Sequence, residues 1–158
     1  MGAFARDVAA RLRERLATDR PSLDWTTEYH VAGTPVDVVG SGEDLLVAVE
    51  LEWRRADPSD NAAKLFRHLS EGSIDADRVV VVHLFTRYYD LARGGVSSKR
   101  QNAEFVGNVA SDTLDGLSYH PVTVDLDPPK RGGERPDGWQ AAVDEAAATV
   151  SELANYSR

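Results

Sequence analysis

Cysteine is absent from the 158 residues, which excludes disulfides and thiolate metal sites. Lysine is scarce, occurring only at Lys64, Lys99 and Lys130, so arginine carries most of the positive charge. No run of about eighteen apolar residues exists, and no membrane-spanning helix is expected. Met1 to Arg20 alternates charge with Ala and Leu and lacks the apolar stretch of a signal peptide, so a cytosolic (cytoplasmic) protein is the expectation. There is no Gly-x-Ser-x-Gly elbow, no phosphate-binding glycine-rich loop and no nucleotide fingerprint; Gly40-Ser41-Gly42 is too short to be one.

What is present fits one folded domain spanning residues 1–158. Hydrophobic content of 42% and charged content of 28% fall in the globular range, and the length suits one core rather than two. The net charge of -8 argues against a simple phosphate-binding surface. Aspartate outnumbers glutamate, a balance that, with so little lysine, suits a halophilic protein. In concentrated salt the screening length shrinks to about 3 Å near 1 M, and self-repulsion is suppressed. A GC-rich genome favouring Arg, Ala and Asp codons gives the same bias. Neither origin excludes a DNA partner, because local patches decide contact.

Phe4, Val8, Leu12 and Leu16 recur every four residues among charged neighbours, predicting an amphipathic helix that ends before Asp19-Arg20-Pro21. Trp25 to Val31 reads as a strand, Gly33-Thr34-Pro35 as a turn, and Val36 to Val39 as a second strand. Gly40 to Asp44 suits a hairpin connection into a third strand, Leu45 to Trp53. Asp57-Pro58-Ser59-Asp60 opens a helix with Asp60 as its expected N-cap, striped by Ala62, Leu65, Phe66 and Leu69 and ended by Gly72. Val79 to Phe85 is an apolar, β-branched run typical of a strand buried on both faces. A helix from Ser97 or Ser98 to about Leu114, a strand from Tyr119 to Leu126, a loop from Asp127 to Gly138 and a helix from Trp139 to Tyr156 complete the chain. A hairpin meander followed by β-α-β units implies an α/β fold, with a mixed β-sheet flanked by helices on both faces.

Side chains alternate along a strand, so Glu50 and Glu52 share one face of Leu45 to Trp53, about 7 Å apart. Like charges so placed repel, and a hard divalent cation relieves that cost through oxygen ligands. Asp37, across the glycine-rich turn, is placed to add a third carboxylate. The same spacing also suits an exposed strand with one wet face.

Pro35-Val36-Asp37 followed by Glu50-Leu51-Glu52 resembles the signature of the PD-(D/E)XK, or restriction-endonuclease-like, nuclease superfamily. The continuation through Trp53, Asp57-Pro58, Leu65-Phe66-Arg67-x-Leu69 and Gly72-Ser73-Ile74 is similar to the BamHI/BglII-type subgroup of type II restriction enzymes. The better-matched stretch runs from Pro35 to about Phe85, with a weaker echo at Ser97-Ser98-Lys99. Most of the superfamily has Lys where this chain has Glu52; in that subgroup Glu can occupy the place.

The resemblance implies a restriction-endonuclease-like core and hydrolysis of DNA with Mg²⁺ or Mn²⁺. Asp37 and Glu50 would hold the metal, Glu52 would position or deprotonate water, and Lys64 is a candidate relocated cation. Lys64 or Arg67 would neutralise phosphoryl charge. Arg87, Arg93, Lys99 and Arg100, beside Tyr88 and Tyr89, form one candidate DNA-contact cluster, and Lys130, Arg131 and Arg135 a second. Either cluster also suits a solvated loop. Two-strand cleavage further implies a homodimer. Glu14 and Glu28 read as surface charge, His83 as a core residue, and Trp25, Trp53 and Trp139 as packing anchors. A catalytically inactive nuclease fold that binds DNA, or a protein-interaction module, fits the same sequence.

Overall fold

The structure, a computed structural model, describes residues 2–155. Helix α1 (Ala3–Asp19) leads into a meander of β1 (Asp24–Val31), β2 (Thr34–Ser41) and β3 (Leu45–Glu52). Helix α2 (Pro58–Ser70), β4 (Arg78–Phe85), a single 3₁₀ turn (Arg87–Tyr89), α3 (Ser98–Thr113), β5 (Leu117–Thr123) and α4 (Trp139–Leu153) follow. The five strands lie side by side in chain order. β1, β2 and β3 pair antiparallel, whereas β3–β4 and β4–β5 pair parallel. This is the mixed α/β sheet expected from a hairpin meander joined to helical crossovers.

Alternation divides the core into two layers. On one face Val47, Val49, Leu51, Val80, Val82 and Leu84 pack under α1 and α4 against Leu12, Leu16, Val143 and Val150. On the other, Ala48, Val79, Val81 and Tyr119 pack under α2 and α3 against Ala62, Leu65 and Phe66. Val79 to Phe85 is buried along its whole length, as a central strand covered on both sides requires. Among the described residues no helix is long and apolar enough to cross a membrane.

Several boundaries differ from the sequence reading. Thr34 and Pro35 belong to β2 rather than to the turn, and so do Gly40 and Ser41. Gly40 sits in the strand because the Trp25 indole lies across it: a Cβ there would stand 2.8 Å from the ring. Helix α2 begins at Pro58 with Asp57, not Asp60, in the N-cap position, since proline tolerates the first helical position where its missing N–H is no loss. β5 ends at Thr123, although Val124 and Leu126 stay buried and Val124 N–H still reaches the Phe85 carbonyl at 2.9 Å. Helix α4 ends at Leu153; its expected last residue, Tyr156, lies outside the described residues.

Candidate active site: a buried carboxyl pair where two strands part

The β2–β3 ladder runs from Ser41–Leu46 to Val38–Val49 and stops there. The next rung would set Asp37 against Glu50. Instead the strands part, and Asp37 Oδ2 accepts the hydrogen bond of the Leu51 N–H at 2.7 Å. A side chain has replaced a backbone carbonyl, which satisfies the freed N–H and fixes the carboxylate. The Asp37 and Glu50 carboxyl groups lie close enough for each to shift the other's ionisation. Glu50 and Glu52 face the α2 side of the sheet, 3% and 1% exposed.

Burial is costly for these carboxylates, and their protonation follows from it. Desolvation, and then the charges of Asp37 and Glu52, push Glu50 up to about 9. Desolvation also raises Glu52 to about 8, against the opposing pull of Arg55. Asp37 is raised as well, less freely, because the Leu51 N–H and the Glu50 carboxyl stabilise its anion. Burial thus favours the protonated form of both partners of the pair.

The parallel register sets His83 of β4 beside Glu50 and Phe85 beside Glu52. His83 is fully buried, with Nδ1 2.8 Å from the Tyr119 hydroxyl and Nε2 3.8 Å from Glu52 Oε1. Burial lowers the imidazole to about 4 while Glu52 is raised to about 8, so the two meet as neutral groups, not as an ion pair. The expected core role of His83 is correct, and its nearness to the site was not anticipated. The signal was available only after pairing β3 with β4 in register.

The cation that acts on all three acids is Arg55, which the sequence reading passed over. Its backbone is clamped: the buried Tyr89 hydroxyl accepts from the Arg55 N–H at 2.8 Å and donates to the Arg55 carbonyl at 3.1 Å. Thr86 anchors the same segment, donating its N–H to the Glu52 carbonyl at 3.2 Å and its hydroxyl to the Trp53 carbonyl at 2.6 Å.

The other expected groups are not gathered here. Lys64 pairs with Asp60 at 3.3 Å on an exposed turn of α2, and none of the shifts at the three acids arises from it. Arg67 is exposed on α2, and Arg93 and Lys99 are exposed beyond β4, with Lys99 5.8 Å from the Tyr88 ring. Arg87 is held by Asp125 at 2.6 Å and Asp90 at 2.8 Å. Arg100 is turned inward: only 7% exposed, it bonds Glu104 at 2.9 Å and Thr123 at 2.7 Å and lies over Phe85. It braces α3 against β5, where sequence alone suggested a DNA contact. Glu14 is exposed on α1, and Glu28 is exposed on β1 in a left-handed backbone conformation (φ 52°), between the Thr27–Val38 and Tyr29–Val36 rungs.

Among the described residues, no three or more His, Asp or Glu side chains form a ready coordination shell. What is assembled is a carboxyl pair with a third acid beside it. Buried Glu50 Oε1 and both oxygens of Glu52 lack hydrogen-bond partners, an expensive arrangement for polar atoms. An oxygen-only donor set of this kind fits a hard divalent cation such as Mg²⁺ or Mn²⁺. No known protein family, curated protein or solved structure matches the chain.

Proposed function

We propose that this protein is a metal-dependent DNA endonuclease built on a restriction-endonuclease-like core. The observation that carries the reading is the meeting of Asp37 with Glu50 at the point where β2 leaves β3, with Glu52 buried on the same face. Asp37 and Glu50 would hold Mg²⁺ or Mn²⁺. Bound there, the ion would polarise a phosphodiester and acidify a water molecule.

The chain's own groups supply the remainder. Glu52 would accept the proton of the attacking water in its ionised form, so with its carboxyl raised to about 8 cleavage is expected to quicken as pH climbs through that value. Arg55 faces the developing phosphoryl charge from a backbone that Tyr89 holds still. It provides the positive group that Glu52, standing in the usual lysine position, cannot. Cutting both strands of a duplex needs two such sites, which a C₂ homodimer would provide.

Plasmid nicking with Mg²⁺, Mn²⁺ or EDTA tests the reading. The wild type is expected to cut only with metal, Glu50→Gln to be inactive, and Glu52→Gln to be slower by about 10² to 10⁴. Metal-independent cutting, or equal cutting by wild type and Glu50→Gln, would refute it. Binding of DNA that Glu50→Gln leaves intact, with no cleavage by either protein, would instead mark an inactive nuclease fold.

A further inference from the structure

One residue past Glu52, the chain crosses to the opposite side of the sheet and enters a second feature. The first turn of α1, the Trp53-Arg54 segment that follows β3 and the loop carrying Lys130 and Arg131 enclose a cleft of about 750 Å³. Its floor is aromatic: Phe4 meets Trp53 edge-on at 5.1 Å, and both rings are only partly buried. Its rim is cationic. Arg135, also at the rim, is neutralised by Asp7 at 2.7 Å, whereas Lys130 and Arg131 are exposed and form no ion pair among the described residues. In a chain of net charge -8, such a group of cations is a local exception.

The loop is built to present them. The Lys130 carbonyl accepts the Gly133 N–H at 2.7 Å, closing a turn whose third residue, Gly132, has φ +80°. A positive φ at that position is what glycine supplies in a type II turn. Arg54, two residues past β3, holds the loop just before the turn by donating to the Pro129 carbonyl at 3.3 Å. No side chain caps α1, so the N–H groups of its first turn add partial positive charge to the same wall.

We infer that this cleft binds the backbone of a polynucleotide strand, with Lys130, Arg131 and Arg54 on its phosphates and Phe4 and Trp53 under its sugars or bases. Cations above an apolar aromatic floor match a nucleotide chain better than a free inorganic anion, which has no apolar face to cover. The inference rests on the nuclease reading for its substrate. It adds a second contact at the same strand end as the acids, on the other side of β3.

The test is binding of a fluorescent duplex oligonucleotide in EDTA, titrated with KCl, so that no cleavage is needed. Lys130→Ala/Arg131→Ala is expected to weaken binding about tenfold at low salt and to reduce the slope of log K against log[salt] by about 1.8, the share of two phosphate contacts. Lys130→Arg/Arg131→Lys, which keeps the charges, is expected to bind as the wild type does. Inorganic phosphate at matched ionic strength is expected to leave the duplex bound. An unchanged affinity and slope in the double alanine variant, displacement by phosphate, or no duplex binding by the wild type would overturn the inference. A protein that binds in EDTA and never cuts keeps the cleft and loses the nuclease. One that cuts while the double alanine variant binds normally keeps the nuclease and loses the cleft.

Discussion

Glu50 and Glu52 are buried acids, and their burial makes stability depend on pH. Both hold their protons to about 9 and about 8 when folded, against about 4.5 for an unburied glutamate. Between those values the folded chain binds more protons than the unfolded one, so stability falls as pH rises from about 4.5 and levels off above about 9. Glu50→Gln keeps the shape and removes the larger of the two titrations. Thermal unfolding in EDTA at pH 8 is expected to give the variant a Tm at least about 2 °C above wild type, since about 1 kcal/mol moves Tm by 2–4 °C at this chain length. At pH 5 the two should melt together. A wild-type Tm flat between pH 5 and pH 8.5 would show that the acids are not buried as described.

The acids were legible from the sequence because period-two alternation puts Glu50 and Glu52 on one face and the turn brings Asp37 across. Arg55, Tyr89 and His83 were not legible. Arg55 lies in a loop with no periodicity, Tyr89 reaches it from 34 residues away, and His83 joins only through the parallel β3–β4 register. Nothing local in the chain announces those pairings.

At the scale of elements, the site depends on two pieces of packing. The segment after β3 is held by Thr86 and Tyr89, which follow β4, so the loop bearing Arg55 is pinned at the C-terminal ends of these two strands. Tyr89→Phe removes a hydroxyl that both accepts from and donates to the Arg55 backbone, leaving those groups to find water. A loss of about 1–2 kcal/mol in chemical unfolding is expected, with slower cleavage. If cleavage were unaffected, the clamp would have no part in catalysis. Helix α3 is the second piece. Gly107 lies against Tyr119, and a Cβ there would stand 2.3 Å from the ring. Gly107→Ala is therefore expected to cost about 1–3 kcal/mol by forcing α3 off β5, despite alanine's higher helix propensity. A stabilised variant would contradict that packing.

Element order was readable throughout, because each helix and strand carries its own period. Element ends were less so. Gly40 and Ser41 read as turn residues, yet they pair within β2 because Trp25 fills the space a side chain would need. Glycine's backbone freedom and its lack of a side chain give the same letter in a sequence; only the neighbouring indole distinguishes them.

At the scale of the molecule, the acidic surface and the local cations divide the work. Net charge keeps the chain apart from other polyanions, while Arg54, Lys130 and Arg131 collect at the strand end where the acids also lie. The C-terminal edges of the parallel strands are where ligands of open α/β sheets generally bind, and β3 brings both features to that edge. On the proposed function, Asp37 and Glu50 would give up bound protons in exchange for one divalent ion. Calorimetric titration of Mn²⁺ into the protein at pH 8 measures this directly. One ion per chain is expected, released protons should accompany it, and Asp37→Asn and Glu50→Gln should each abolish the heat. Mn²⁺ binding of equal affinity in all three proteins, or none in the wild type, would contradict the assignment.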